Sequence, residues 1–264
     1  MGIFDGILLI SDMDGTLTDS RGNVSRENSE AIRYFQENGG LFTVGTGREP
    51  EHFDSFKELF VCNTYMVAMN GSVIFDVFAG KTVGRYPIKD DVKKDIVQIY
   101  ENYQCGGGIV IRTEKSILYK ASDESIESFL DGIESDIYVA QFIQDRTRTA
   151  ELSVTVPDSF PQYKFSRGWS EGLEMFSAEA GKGTSLMRIK DMTGSKLVVA
   201  AGNYDNDIEM IQMADIGVCV SNSSEPLKKA ADIITVSCDE SAIALIISEL
   251  KKDHPFGLTG LGRV

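Results

Sequence analysis

Two parts of the chain alternate apolar strands with amphipathic helices, and this alternation restricts the fold more than any other feature. In the first third, the segments 7–11, 41–48 and 65–72 are predicted as strands. Helices are predicted after Ser25, a potential N-cap, and from Pro50, which suits a first helical turn. Strands joined by helices through short connections indicate a parallel sheet.

The last third of the chain repeats this rhythm. Helices are predicted at 183–194, 206–214, 224–231 and 240–252, and strands at 196–202, 216–221 and 233–236. The segment "KLVVAAG" is apolar throughout its strand, as expected of a strand covered on both faces. The two ends of the chain therefore predict an α/β, Rossmann-like core with a parallel sheet.

The middle of the chain has a different pattern. Helices are predicted at 91–103 and 123–133, two strands within 108–122 around a turn at 114–115, and a further strand at "ELSVTVP", 151–157. This mixture indicates an α+β module inserted into the core. We expect residues 1–80 and 178–264 to form the core and residues 81–177 to form the inserted domain.

The net charge of the chain restricts the classes of molecule expected to bind it. The 264 residues include 26 Lys plus Arg and 40 Asp plus Glu, a formal net charge of −14. A field of this sign repels nucleic acid and anionic membranes, so neither is an expected partner. An anionic substrate would need a locally positive pocket or a bound cation.

Other site chemistries have little support. The four cysteines form no CxxC pair, so neither a disulfide framework nor a zinc site is expected. The two histidines, His52 and His254, have no evident serine or cysteine partner for nucleophilic catalysis. No signal peptide or membrane span is evident, and we expect a cytoplasmic protein.

Polar side chains follow several predicted strands of the core. Asp12 and Asp14 end the first strand, and Thr46, Gly47 and Arg48 end the second. The segment "GNYDND", 202–207, follows the "KLVVAAG" strand, and Lys182 stands between two glycines after the insertion. Because ligands bind at the carboxyl ends of parallel strands, we expect these groups to converge at one edge of the sheet.

The chemistry of this set suits phosphoryl transfer. With its ordinary pKa of about 3.9, a carboxylate such as Asp12 is expected to be mostly ionised at neutral pH and to act as a nucleophile without a base. Mg²⁺ held by oxygen ligands, together with a lysine, can offset its repulsion from a phosphate. A crowded second carboxylate, Asp14, can hold a proton for the leaving group. Thr46 and the amide of Gly47 can bind phosphoryl oxygens.

Four motifs in this order, "DMDGT", "VGTGR", "GKG" and "GNYDND", resemble those of the haloacid dehalogenase superfamily of phosphatases. The large insertion between the second and third motifs resembles the type-2 cap of the Cof-like sugar-phosphatase subfamily. The segment "MNGSVI", just before the insertion, is similar to a stretch common in that subfamily. The resemblance covers essentially the whole chain, and it implies a Mg²⁺-dependent phosphatase acting on a small phosphorylated metabolite.

The resemblance also implies residue roles. Asp12 would be the nucleophile that forms an aspartyl-phosphate, and Asp14 the general acid and base, with its main-chain oxygen on Mg²⁺. Thr46 and Lys182 would hold the transferring phosphoryl group. The remaining expected ligands are Gly47, Arg48 and Asn206 for phosphate or substrate, and Asp12, Asn203 and Asp207 for the metal.

One position departs from the family pattern, which usually reads GDxxND. Asn203 stands where a metal-binding aspartate is expected. An amide oxygen can bind Mg²⁺ but carries no charge. The alternative hypothesis is therefore a weakened relative that binds a phosphorylated ligand without efficient turnover. Asp14 argues against a dehalogenase, the large cap does not suggest a phosphomutase, and the substrate and the oligomeric state stay open.

Overall fold

The computed structural model describes residues 2–56, 58–89, 91–103, 107–121, 123–252 and 255–257. The strands are β1 (Ile7–Ser11), β2 (Leu41–Val44), β3 (Tyr65–Ala68), β4 (Val73–Asp76), β5 (Lys81–Arg85), β6 (Ile109–Thr113), β7 (Ile117–Tyr119), β8 (Ile137–Ile143), β9 (Tyr163–Trp169), β10 (Gly172–Ser177), β11 (Leu197–Gly202), β12 (Ile216–Cys219) and β13 (Ile233–Ile234). The helices are α1 (Arg26–Glu37), α2 (Val92–Asn102), α3 (Ile126–Asp131), α4 (Arg146–Ser159), α5 (Lys182–Thr193), α6 (Ile208–Met213), α7 (Glu225–Ala230) and α8 (Ala242–Glu249). Cys105 and His254 lie outside the described residues.

The chain divides into two compact units. The first comprises residues 1–84 and 182–264, and the second comprises residues 85–181. The predicted boundaries, at 80/81 and 177/178, each fall four residues before these divisions. Among the described helices, none combines the length and the apolar character that crossing a membrane would require.

The first unit contains a five-stranded sheet in the order β13-β12-β11-β1-β2, and every pairing in it is parallel. All residues of β1 and β11 are buried, which explains why both strands are apolar along their length. The chain winds outward from β1 in both directions, so the strand order reverses at this inner strand. Such a reversal opens a crevice at the carboxyl ends of the strands. The predicted α/β class with a parallel sheet is confirmed.

The third predicted strand, β3, only partly joins this sheet. Gly45 and Val67 form an isolated parallel bridge between the end of β2 and β3. The main pairing of β3 is antiparallel to β4, in a separate sheet of order β3-β4-β5. The helix predicted from Pro50 to about Phe60 is a shorter 3-10 helix, Pro50–Phe56.

The second unit has an antiparallel sheet in the order β7-β6-β8-β10-β9. Its apolar cluster includes buried residues from α2, α3 and α4 together with residues from four of the strands. The predicted helices at 91–103 and 123–133 correspond to α2 and α3, and the predicted strand pair within 108–122 corresponds to β6 and β7.

The strand predicted at 151–157 is wrong, because this segment lies within helix α4. The Asp145 side chain caps the helix by accepting from the Arg148 amide at 3.0 Å. The buried residues Leu152 and Val156 are four positions apart, as on one face of a helix. The β-branched residues that indicated a strand are therefore overridden by a cap and by helical spacing of the apolar contacts.

Candidate active site

The first strand of the parallel sheet ends directly at the site. The Asp12 amide donates to the Ala201 carbonyl at 2.8 Å, so the pairing with β11 continues one residue past β1. The chain then turns at Gly15, which has φ of 75°. A Cβ at Gly15 would stand 2.5 Å from Nδ2 of Asn203, so only glycine fits this turn. The turn leaves the Asp12 side chain only 9% exposed.

A buried lysine joins two carboxylates at the centre of the site. Lys182 begins α5, and its Nζ lies 2.7 Å from Oδ1 of Asp12 and 2.7 Å from Oδ1 of Asp207. The side chains of Lys182 and Asp207 are 0% exposed. One buried cation therefore faces two buried acids, and the cluster carries an excess negative charge when both acids are ionised.

Burial and charge shift the titration of this cluster. Burial raises the pKa of Asp12 to about 7, and the negative charge of Asp207 adds to the rise against the opposing effect of Lys182. Burial alone would lower the pKa of Lys182, but Asp12 and Asp207 outweigh it, so the net shift is upward. The lysine therefore stays charged at neutral pH.

Asp207 also fixes the loop that precedes it. Its Oδ2 accepts hydrogen bonds from the amides of Asn203 at 2.9 Å and Tyr204 at 3.2 Å. Both oxygens of this carboxylate are therefore engaged, one by Lys182 and the other by the backbone. These contacts favour a role in positioning Lys182 and the 203–207 turn, and the predicted metal contact of Asp207 stays a prediction.

Asp14 and Arg48 form a two-point ion pair. Nε and Nη2 of Arg48 lie 2.7 and 2.6 Å from Oδ2 and Oδ1 of Asp14. The pair is solvent-facing, since the two side chains are 52% and 37% exposed. The predicted acid and one of the predicted phosphate ligands are thus partners of each other.

The loop after β2 offers hydrogen-bonding groups close to this ion pair. Thr46 is buried, and its Oγ1 accepts from the Arg48 amide at 3.1 Å. The Thr46 amide donates to the Val67 carbonyl at 2.9 Å. Within the described part of the chain, no acceptor meets the Gly47 amide, which leaves it available for an oxygen of a bound anion.

Two asparagine amides donate to consecutive carbonyls of the loop after β1. Nδ2 of Asn203 lies 2.9 Å from the Asp14 oxygen, and Nδ2 of Asn222 lies 3.0 Å from the Gly15 oxygen. The sequence analysis did not identify Asn222. Its one available signal was its place in "SNSS", after the apolar strand β12.

Asn206 makes a separate contact. Its Nδ2 donates to Oδ1 of Asn70 at 3.1 Å. Asn70 is a second residue that sequence analysis did not assign to the site, although the segment "MNGSVI" around it was singled out. Asn203 joins the Lys182 cluster to the Asp14–Arg48 pair, since its main-chain amide donates to Asp207 and its side chain donates to the Asp14 carbonyl. The Asn70 amide donates to the Thr46 carbonyl, so the Asn206–Asn70 pair belongs to the same network.

The donor atoms near Asp12 suit a hard cation. An oxygen of Asp12, the main-chain oxygen of Asp14 and the Oδ1 atom of Asn203 would supply oxygen ligands alone, which Mg²⁺ prefers. A half-turn of the Asn203 amide would present Oδ1 instead of Nδ2 to the neighbourhood of Asp14. The described residues contain no group of three or more acidic, histidine or cysteine side chains arranged for a metal. The set therefore fits Mg²⁺ chemically, but with one carboxylate and a large share of neutral ligands.

Comparisons with known proteins agree with this architecture. Residues 9–247 match the family model described as haloacid dehalogenase-like hydrolase. The chain is similar to phosphatase YwpJ of Bacillus subtilis, with 26% identity over 92% of this chain and 99% of that protein. It is also similar to the B. subtilis 5-amino-6-(5-phospho-D-ribitylamino)uracil phosphatase YwtE, with 25% identity over 90% of this chain and 96% of that protein.

A solved structure gives the same result for the fold. A haloacid dehalogenase-like hydrolase from B. subtilis superimposes with a TM-score of 0.81 and 23% identity, over 92% of this chain and 99% of that one. At this identity the likeness concerns the fold alone.

Proposed function

The chain belongs to the haloacid dehalogenase-like hydrolases, and we propose that it is a Mg²⁺-dependent phosphatase that hydrolyses a small phosphorylated metabolite through an aspartyl-phosphate. The observation that carries the proposal is the buried Asp12–Lys182–Asp207 cluster at the carboxyl end of β1. A buried carboxylate paired with a buried lysine contributes little to the stability of the fold, since burying charges costs free energy. It is well suited to attack a phosphorus atom and to stabilise the charge that develops there.

In the first half-reaction, the Asp12 carboxylate attacks the phosphorus of the monoester. A bond forms between a carboxylate oxygen and phosphorus while the ester P–O bond breaks, and the leaving oxygen takes a proton from Asp14, which must have left its ion pair with Arg48 and be protonated for this step. In the second half-reaction, Asp14 accepts a proton from the attacking water as the acyl phosphate is cleaved, releasing inorganic phosphate and restoring the Asp12 carboxylate.

The surrounding groups bind and orient the phosphoryl group. Lys182, the Thr46 hydroxyl and the Gly47 amide supply hydrogen bonds to its oxygens, and Arg48 and Asn206 are the further proposed phosphate or substrate contacts. Mg²⁺ would be held by Asp12, the Asp14 main-chain oxygen and Asn203. When bound, this cation supplies charge that offsets the repulsion between the carboxylate and the phosphate dianion.

The substrate class rests on the relatives. Curated proteins that cover nearly the whole chain are named phosphatases, and the name of YwtE includes a phosphorylated ribityl group. These names support a phosphorylated metabolite of small size, with a sugar or sugar-alcohol phosphate as the first class to test.

The experiment is a release assay for inorganic phosphate with a panel of phosphorylated metabolites in the presence of Mg²⁺. We expect turnover of at least one sugar phosphate, lost on chelation and regained when Mg²⁺ is restored. Phosphate-ester binding without release across the whole panel would favour the alternative, a ligand-binding relative with weakened catalysis, for which Asn203 is the motivating residue.

Asp14 is expected to matter most for poor leaving groups. Asp14→Asn removes the proton donor, so the rate with a sugar phosphate should fall roughly a hundredfold or more. The rate with an aryl phosphate should fall much less, because that leaving group needs little protonation. The measurement is kcat/KM for both substrates in both proteins. Equal losses on the two substrates would contradict the role of Asp14 as general acid.

The Asp14 result needs a control for the ion pair with Arg48. Arg48→Met breaks the same two hydrogen bonds while leaving the Asp14 carboxyl in place. If Asp14 acts as the acid, this variant should weaken substrate binding without the leaving-group dependence.

Asn203→Asp should tighten Mg²⁺. A carboxylate in place of the amide adds a charged ligand next to the Asp14 carbonyl, and we expect affinity to rise roughly tenfold, about 1.4 kcal/mol. Calorimetric titration of Mg²⁺ without substrate measures the effect independently of turnover. Unchanged affinity would place residue 203 outside the metal site.

Asn222→Asp is the matched control for this test. It adds the same charge next to the Gly15 carbonyl, one residue further along the loop. If Asn203 is a ligand and charge alone is not the cause, Asn222→Asp should raise Mg²⁺ affinity much less than Asn203→Asp.

A further inference from the structure

The turn that follows β3 has an unusual backbone. Met69 and Asn70 are consecutive, and they have φ of 50° and 52° in the left-handed region. Both are buried, with exposures of 0% and 1%. Asparagine tolerates this region, but for most other side chains it is costly. A fold keeps such a conformation where surrounding contacts require it, often at a functional site.

Backbone contacts tie this turn to the loop after β2. The Met69 amide donates to the Arg48 carbonyl, and the Asn70 amide donates to the Thr46 carbonyl, both at 3.0 Å. The carbonyls on either side of Gly47 are thus held toward the turn. The 46–48 loop has little freedom, and the Gly47 amide keeps a fixed position.

The Asn70 side chain extends this connection to a second loop. Its Oδ1 accepts from Asn206 at 3.1 Å. Its amide also lies against Gly47, since a Cβ built there would stand 3.3 Å from Nδ2 and 3.4 Å from Oδ1 of Asn70. One side chain therefore contacts a residue of the loop after β2 and a residue of the loop after β11.

We propose that Asn70 is a positioning residue of the phosphoryl site, which sets Gly47 and Asn206 at a fixed separation for binding phosphate. This inference rests on the proposed function, because it assumes that Gly47 and Asn206 contact the phosphorylated ligand. Asn70 acts through them. The left-handed backbone is what brings its amide between the two loops.

Asn70→Gly separates the backbone from the side chain. Glycine adopts the left-handed region without strain, so the turn should keep its backbone, while loss of the buried amide should lower the melting temperature modestly. The amide is lost, so affinity for inorganic phosphate in the presence of Mg²⁺, measured by calorimetry, should fall at least tenfold, with a matching rise in KM. The expected result is therefore a folded variant with weakened phosphate binding.

Two further variants sharpen the test. Asn70→Asp keeps an oxygen that can accept from Asn206, so it should keep more of the coupling than Asn70→Gly. In a double-mutant cycle, Asn70→Gly and Asn206→Ala should be strongly non-additive in phosphate affinity, because each breaks the same contact. Full additivity would overturn the proposal.

Ser241→Gly is the matched control. Ser241 is also left-handed, with φ of 59°, and its hydroxyl bonds Ser25 instead of any residue proposed for the site. Phosphate affinity and KM should be unchanged in this variant. The proposal is overturned if Asn70→Gly keeps native phosphate affinity, or if Ser241→Gly loses phosphate affinity to the same extent.

The phosphate titrations test the role of Asn70 separately from the proposed enzymatic activity. If the native protein binds inorganic phosphate but hydrolyses no ester, the enzymatic proposal fails, while the phosphate titrations still decide whether Asn70 positions the site. If native turnover is found and the Asn70→Gly variant matches it in phosphate affinity and KM, only the positioning role is overturned.

Discussion

Replacing Asp12 with asparagine is expected to abolish turnover, with kcat lower by about a thousandfold or more. The amide has nearly the same size as the carboxylate but cannot form the acyl phosphate. The measurement is phosphate release under single-turnover and steady-state conditions, using the best substrate of the panel. If the variant keeps a tenth of the native rate, the covalent mechanism through Asp12 is wrong.

The control for this result is the melting temperature of the variant. Whether the variant melts above or below the native protein depends on pH. The pKa of Asp12 is raised in the folded protein from 3.8 to about 7. The folded state thus binds this proton more tightly than the unfolded state. The resulting stabilisation is complete below the unfolded pKa and is lost as the pH rises through the folded pKa.

At about pH 8 the native carboxylate therefore costs folding free energy that an amide does not. In metal-free protein, Asp12→Asn should melt at or above the native temperature at this pH. The difference should shrink as the pH is lowered toward the unfolded pKa. A variant that melts well below the native protein at about pH 8 would show that lost activity reflects a damaged fold.

The second large effect is expected from Lys182→Met. This substitution leaves Asp12 and Asp207 facing each other without their shared cation, in a site that excludes solvent. Removing one partner from a buried ion pair typically costs about 3–5 kcal/mol. Loss of the charge near the phosphoryl group should also lower kcat roughly a hundredfold or more.

Thermal melts of the native and Lys182→Met proteins across pH test the electrostatic origin of this cost. Without the lysine, the folded state favours protonated carboxyls, so the deficit in melting temperature should be largest at high pH and should shrink as the pH falls. A deficit that does not change with pH would point to lost packing of the lysine stem.

Lys190→Met is the matched control in the same helix. Lys190 also pairs with an aspartate, with Nζ 3.0 Å from Oδ2 of Asp215, but its side chain is 23% exposed and that of Asp215 is 36% exposed. A pair open to solvent contributes less than about 1 kcal/mol. We expect this variant to keep both its activity and most of its stability.

The sequence predicted the positions of the acids because of a simple geometric rule. Parallel strands end at one edge of their sheet, so Asp12 after β1 and the "GNYDND" segment after β11 had to lie near each other once those strands were recognised. Lys182 could be added because "GKG" resembles the third motif of the family. Periodicity and turn residues carry this information locally.

Which side chains contact each other within the site could not be predicted in the same way. Nothing local indicates that Asp207 shares Lys182 with Asp12, since these contacts span 25 and 170 positions of the chain. The contacts of Asn70 and Asn222 could not be predicted either, because the side chain of an asparagine in a turn usually hydrogen-bonds to its own backbone. Their roles depend on which loops the fold brings together.

Helix α4 shows a second reason why prediction from sequence failed. The segment 151–157 is rich in β-branched residues, and its local preference is for a strand. The cap at Asp145 and the burial of Leu152 and Val156 on one face stabilise the helix instead. The first is visible in the sequence as a possible cap, but the second requires knowing what the segment packs against.

The interrupted connectivity of the first unit has a consequence for biosynthesis. Its inner strand β1 pairs on one side with β2 and on the other with β11, which lies after the whole second unit in the chain. A ribosome therefore delivers β1 long before one of its two neighbours exists. One hydrogen-bonding edge of this strand stays unpaired while residues 85–181, a continuous segment, emerge and can fold first. The nascent chain is most vulnerable to aggregation during this interval, when a chaperone that shields exposed strand edges would have its greatest effect.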